Sequence, residues 1–149
     1  MNFSLQQPDA EGAKIAQRTQ SESAGCFNDC SHAVIGAAVE VQRVLGAGLL
    51  ESAYSAALAM EMEARGLRFR REVSVSGNYK GVDIGILYRA DFVVEDSIVI
   101  ELKAVDALVA AHRAQLLTYI RLSGHKIGLL INFHVIPLVK GIQRLVNKL

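Results

Sequence analysis

Cysteine is scarce in this sequence: two residues in 149, too few for a disulfide framework. Cys26 and Cys30 have no second Cys or His pair of zinc-site spacing beside them, so both are read as ordinary thiols. Charge of one sign is lacking as well. The net charge is +1, so no overall field draws the chain to a polyanion. Nucleic-acid binding would have to come from a local patch, which salt weakens. Long hydrophobic runs are also missing: none reaches the roughly 18 residues that a membrane span requires. The first 23 residues are polar, with Gln6, Gln7, Asp9, Glu11 and Lys14 among them, and contain no signal core. These absences point to a cytoplasmic protein with no membrane partner. What is abundant is apolar: 51% of residues are hydrophobic and 21% charged, which fits one folded domain with a substantial core.

Residues 1–28 are rich in Gln, Ser, Ala and Gly and read as a flexible N-terminal leader, with a short helical stretch expected around Ala13 to Arg18. The domain is expected to occupy residues 29–149. Asp29 or Ser31 opens a first helix, in which Val34, Ile35, Ala38, Val41, Val44 and Leu45 keep helical spacing up to Gly46-Ala47-Gly48. A second helix runs from about Leu49 to Arg65 and stops at Gly66. The period then changes to that of strands: about Arg68 to Ser76, Ile84 or Ile86 to Val94, and Ile98 to Lys103. A helix follows over about Asp106 to Ser123, then a buried strand over Lys126 to Asn132. After Pro137, Ile142, Leu145 and Val146 suggest a last helix. The order predicts an α/β protein, a mixed sheet with helices on both faces.

The segment from Asp91 to Lys103 fixes a register. If Glu95, Asp96 and Ser97 form the hairpin loop, Val94 faces Ile98, Val93 faces Val99, and Asp91 lies opposite Glu101. Lys103, two residues on, shares their face. The other face is Phe92, Val94, Ile98, Ile100 and Leu102, all apolar, and a two-residue loop would destroy that separation. Two facing carboxylates repel among apolar neighbours, and a divalent cation with a preference for hard oxygen ligands removes the repulsion. Such an ion polarises a phosphoryl oxygen and acidifies bound water, and Lys103 adds positive charge where a phosphorane gathers negative charge. Asp91 and Glu101 are thus the expected ligands of Mg²⁺, or Mn²⁺, with Lys103 catalytic. A Glu-x-Lys on a strand is otherwise an ordinary ion pair. The apposed Asp91 and the apolar reverse face argue against that here.

Asp91, nine residues, then Glu101-x-Lys103 resembles the PD-(D/E)xK nuclease superfamily motif. Gly48-Leu-Leu-Glu51-Ser-Ala-Tyr54 is similar to the signature of the GxxExxY family, a branch of that superfamily. The resemblance continues through Tyr88-Arg-Ala-Asp91, through the stretch from His112 to Tyr119 and through that from Gly128 to Phe133, covering about residues 31 to 147. It departs at Ala90, Ala47 and Gln42, where proline, proline and histidine are the common residues. The resemblance implies a restriction-endonuclease-like αβββαβ core and a Mg²⁺-dependent nuclease acting on DNA or RNA. It assigns metal binding to Asp91 and Glu101 and catalysis to Lys103. Glu51 becomes a further acid near the metal, and Gln115, four residues before Tyr119 on one helix face, a group that orients substrate or Lys103. The alternative is a non-enzymatic nucleic-acid- or protein-binding module on the same fold.

Other residues have plainer readings. Glu51 also suits the first turn of a helix, where the dipole favours an acid. Tyr54 is expected in the core with its hydroxyl near the site, and Glu40 as a solvated glutamate unless its helix packs against the site. Arg68, Arg70, Arg71, Lys80 and Arg89 form either an edge-protecting charge run or a track for a nucleic-acid backbone. No ligand role is assigned to His112, His125 or His134.

Overall fold

A computed structural model describes residues 3–6 and 30–148. Along the chain it holds β1 (Phe3–Gln6), α1 (Ser31–Leu45), α2 (Glu51–Ala64), β2 (Phe69–Tyr79), β3 (Val82–Val94), β4 (Ile98–Lys103), α3 (Ala110–Ser123), β5 (Ile127–Asn132), a 3₁₀ turn (Leu138–Gly141) and β6 (Ile142–Val146). Helical periodicity explains the first pair. Val34, Ala37, Ala38 and Val41 make one buried stripe on α1, and Tyr54, Leu58 and Met62, four apart, another on α2. The reversal between them begins at Gly46, in the left-handed region at φ 73°, with its N–H donating to the Gln42 carbonyl at 2.7 Å. At the far end of α2, the Leu67 N–H closes on the Met62 carbonyl across left-handed Gly66.

The six strands form one sheet in the order of the chain, β1-β2-β3-β4-β5-β6. All neighbours are antiparallel except β4 and β5, which are parallel and joined through α3. Alternation along the strands divides the core in two. Phe92, Val94, Ile98, Ile100, Leu102, Leu129 and Ile131 pack with α1 and α2. Val73, Val93, Val99 and Leu130 pack on the other face with Leu116, Tyr119 and Ile120 of α3. A Cβ at Gly128 would lie 3.0 Å from the Leu116 Cγ, so glycine there lets α3 settle directly on β5. The expected mixed sheet with helices on both faces is present.

Three differences have physical causes. The last helix expected after Pro137 is instead β6, antiparallel to β5. Ile142 and Leu145, three apart, would share a helix face, but as strand residues they serve opposite cores, Ile142 that of α1 and α2 and Leu145 that of α3. The strand pairs the otherwise open edge of β5, which a helix would leave unpaired. Next, α3 starts at Ala110, later than expected, because the buried Asn132 side chain holds the Val105 N–H and carbonyl, at 3.2 and 2.9 Å, in a loop. Finally, Phe3–Gln6, within the stretch read as a leader, is an edge strand paired to Ser74–Gly77. The rest of that stretch, including the expected short helix around Ala13 to Arg18 and Cys26, lies outside the described residues.

Candidate metal centre on the β3–β4 hairpin

The hairpin register is Val94↔Ile98, Val93↔Val99 and Phe92↔Ile100, closed by the three-residue loop Glu95 to Ser97. Glu95 and Asp96 both lie in the left-handed region, each at φ 51°. Two arginines, Arg68 just before β2 and Arg70 within it, hold them there. Arg68 donates through its backbone N–H and its Nε to the Glu95 carboxylate, at 3.0 and 3.1 Å, and Arg70 reaches Asp96 Oδ1 at 3.2 Å. The loop thereby fixes which residues meet further down.

One step beyond Phe92↔Ile100 the count brings Asp91 opposite Glu101, and there the backbone ladder ends. The Asp91 carboxylate takes the place of a carbonyl: its Oδ2 accepts the Leu102 N–H at 2.7 Å. Glu101 is only 8% exposed. Its Oε1 lies 3.5 Å from Lys103 Nζ, while its Oε2 is buried with no hydrogen-bond partner among the described residues. An unsatisfied carboxylate oxygen in a protein interior is costly, commonly about 1–3 kcal/mol or more for a charged group. Burial first, and the Asp91 carboxylate second, push the Glu101 carboxyl up to about 7, against the opposing pull of Lys103. Burial likewise raises Asp91, although the Leu102 N–H and Lys103 favour its charged form.

The surroundings come from several elements. Glu51 opens α2, stays exposed, and has its carboxyl raised by partial burial and then by Asp91, while Lys103 lowers it. It therefore shares the electrostatic field of the hairpin's Asp91 and Lys103. Its helix start is anchored by Tyr54, fully buried and stacked on Phe133 at 4.5 Å. The Tyr54 hydroxyl donates to the Gly46 carbonyl at 2.7 Å and accepts the Leu49 N–H at 3.1 Å. Tyr88, half-buried, has its hydroxyl pushed far up by burial and by the charge of Glu101, and its ring meets that of Tyr119 at 5.0 Å. The Phe133 N–H donates to the Lys103 carbonyl at 2.9 Å, and Asn132 pairs in register with Lys103, so β5 sets the backbone under the lysine.

Asp91, Glu101, Lys103 and Glu51 are thus brought together. Gln115 sits one turn before the buried Tyr119 on α3 and is exposed. Glu40 is held by Arg43 at 2.6 Å on the surface, which drives its carboxyl pKa down. Gln42 ties the Phe133 and Val135 carbonyls, at 3.0 and 2.7 Å. Most of the candidate arginine track is already engaged: Arg68 and Arg70 by the hairpin loop, Arg71 by Ser55 Oγ and the Phe92 ring, and Arg89 by Ser74 Oγ. Among the described residues no three His, Cys, Asp or Glu side chains stand at metal-holding geometry. One acid escaped sequence reasoning. Glu72, on β2 across from Asp91, adopts φ 52°, and its charge raises Asp91 further. No pattern in the sequence announces a left-handed glutamate within a strand.

A family model for the PD-(D/E)XK nuclease superfamily matches residues 28–145. The chain belongs to that superfamily. The α/β architecture, with its mixed sheet between α1–α2 and α3, is consistent with the restriction-endonuclease-like fold of the superfamily. No curated protein and no solved structure matches the chain. Membership implies a nuclease-like function with nucleic acid as substrate, and superfamily members typically use divalent metals. No helix among the described residues is long and apolar enough to cross a membrane.

Proposed function

We propose that this protein is a nuclease of the GxxExxY branch that hydrolyses phosphodiester bonds with Mg²⁺ or Mn²⁺. The observation that carries the reading is the partnerless, buried Glu101 Oε2 on the strand facing Asp91. A protein interior tolerates such an oxygen where a cation completes it, and the donors here are the hard oxygens that Mg²⁺ prefers. Asp91 Oδ1, Glu101 and the Leu102 carbonyl would hold the ion. That carbonyl leaves β4 on the same edge as the N–H bound by Asp91. When bound, the ion supplies charge for the phosphoryl oxygens and acidifies water.

The chain's own residues do the rest. Lys103, beside Glu101, presents its ammonium to the negative charge that grows on the phosphate. Glu51 takes or steers a proton of the attacking water from the open side of the site. Gln115, exposed on α3, orients the incoming strand. Calorimetry of wild type and Glu101→Gln with Mg²⁺ and with Mn²⁺ tests the core of this. Binding by wild type that the variant lacks is the expected result, and equal binding by both would overturn the ligand assignment.

The lack of a third carboxylate at ligand distance among the described residues favours a second reading, a module that binds nucleic acid without cutting it. Its mark would be retention on nucleic acid unchanged by chelator and by Lys103→Ala.

A further inference from the structure

A buried amide is costly unless its polar atoms are bonded. Tyrosines aside, Asn132 at the end of β5 is the one polar side chain among the described residues with 0% exposure. Its hydrogen bonds all go to backbone. Nδ2 donates to the Val105 carbonyl at 2.9 Å, while Oδ1 accepts the Val105 N–H at 3.2 Å and the His134 N–H at 3.3 Å. A residue facing Val105 in a hydrogen-bonded strand pair would take the same two groups. The side chain therefore extends the β4–β5 ladder past the point where β5 itself turns away. Lys103 stands at that point, as the last residue of β4 and the register partner of Asn132. Beyond it the chain has no regular structure until Ala110. A strand end of that kind frays, because few hydrogen bonds oppose its opening. Lys103 is instead bracketed: the Phe133 N–H holds its carbonyl at 2.9 Å, and Asn132 clamps Val105 just beyond it. Glu101 lies deeper in the ladder, opposite Leu130.

We propose that Asn132 is a positioning residue for Lys103, its side-chain amide fixing the chain beyond the lysine and so the direction in which the ammonium leaves β4. The inference rests on the nuclease reading above and deepens it, by separating the group that places Lys103 from the groups that would hold a metal. A lysine stem is long and flexible, and the freedom left to it must be lost when the ammonium meets the growing phosphate charge. Here the Lys103 side chain is only 19% exposed, and its Nζ lies 3.5 Å from Glu101 Oε1. A fixed backbone beneath it keeps that arrangement ready before substrate arrives, which is what electrostatic stabilisation of a transition state requires. Asn132 reaches a second part of the site as well. The turn at His134, held by the same Oδ1, carries an imidazole whose Nε2 lies 3.0 Å from the carbonyl of Leu49, shortly before Glu51. One buried amide thus joins the end of β4 to the loop that starts α2.

The test compares the full-length wild type with Asn132→Ala and with Val105→Pro, which removes the N–H that Asn132 accepts and leaves the buried residue in place. Folding is checked by circular dichroism, and Val105→Pro carries the test if Asn132→Ala fails to fold. Three quantities are read. Calorimetry gives Mg²⁺ and Mn²⁺ binding. The order parameter of the Lys103 Cε methylene comes from ¹³C relaxation, its signal assigned by loss in Lys103→Arg. Cleavage of a labelled DNA duplex and a labelled RNA strand gives kcat and KM. In the folded variants metal binding and KM should stay at the wild-type values. The Lys103 methylene should become as mobile as those of the exposed Lys126 and Lys148. The kcat should fall by about 10–10²-fold, the scale for a misplaced catalytic group. Wild-type kcat and order parameter in the folded variants would overturn the proposal. So would loss of metal binding together with kcat, which would make Asn132 a prop of the whole site. A wild-type Lys103 already as mobile as Lys126 would overturn it without any variant. Cleavage is scored separately: a wild type that never cuts, but whose Lys103 loosens in the variants, would sink the nuclease reading and leave the positioning standing.

Discussion

Ile100 and Leu102 on one face of β4 are fully buried against the core of α1 and α2, and Glu101 between them is almost as far from water on the other face. The apolar pair gains from its burial, on the order of 1.5–3 kcal/mol for a side chain of that size. Glu101 loses by it, with one oxygen unpartnered and a carboxyl raised to about 7. Adjacent residues of one strand therefore make opposite contributions, and the end of the hairpin away from its loop repeats the division on β3, with Phe92 on the favourable side and Asp91 on the costly one. The lesson is that apolar packing, on both faces near the loop and on one face beyond it, holds the hairpin so that Asp91 and Glu101 can keep an unfavourable arrangement in place. Strain of this kind is kept where surrounding structure enforces it, and it marks a site that a ligand would relieve.

The largest expected effects break the comparison from each side. Phe92→Ala, on the apolar face, should lower stability by about 3–5 kcal/mol, read from urea denaturation. Glu101→Gln should leave stability unchanged or improved, because it removes a buried charge without changing shape. It should nevertheless cut Mg²⁺-dependent cleavage of nucleic acid by at least about 10²–10³-fold, the scale for losing one electrostatic contribution to a transition state. A Phe92→Ala protein that unfolds at the wild-type midpoint, or a Glu101→Gln protein that cleaves at the wild-type rate, would erase the distinction between the faces.

A smaller effect sharpens the comparison through pH. The folded chain keeps a proton on Glu101 up to about 7, whereas an ordinary glutamate releases it near 4.5. Folding therefore favours proton uptake. The resulting stability is fully present below the unfolded value and is lost as pH rises through about 7. In chelator, wild type should be more stable near pH 5 than near pH 8, by on the order of 1–2 kcal/mol. Glu101→Gln should lose most of that slope. Mg²⁺ should restore stability above pH 7 in wild type alone. Equal stability of wild type at both pH values would show that Glu101 is not held in an unfavourable environment.

Much of this division was readable from the residues. The alternation from Asp91 to Lys103 allowed one register, because a slip by a single residue would have turned the acids into the core, and the observed pairing is that register. The helices of the first half were equally plain, since Val34 to Val41 and Tyr54 to Met62 fit one period. The tail was not, because Ile142, Leu145 and Val146 are compatible with both a helix and a strand, and only the open edge of β5 decides between them. Gln115 was placed on the face of Tyr119 by its spacing, yet spacing does not say how far a face extends over the sheet, and Gln115 ends in solvent. Glu72 was invisible because its nearness to Asp91 depends on a left-handed backbone.

The smallest effect concerns the loop that joins the two faces. Asp96 sits at φ 51°, a conformation that costs a residue with a side chain on the order of 1 kcal/mol and glycine almost nothing. Its ion pair with Arg70 offsets little of this, since the Asp96 side chain is 80% exposed and such pairs are worth about 0–1 kcal/mol. Asp96→Gly should therefore change stability by less than about 1 kcal/mol, most simply as a slight gain, measured by thermal unfolding. If Arg70 and Asp96 serve instead to pin the register, the outcome differs in kind. The variant would then lose cleavage and metal binding together while keeping its melting temperature, because a slipped hairpin separates Asp91 from Glu101 without emptying the core of α1 and α2. Unchanged cleavage with a small rise in stability would assign the register to the apolar face alone.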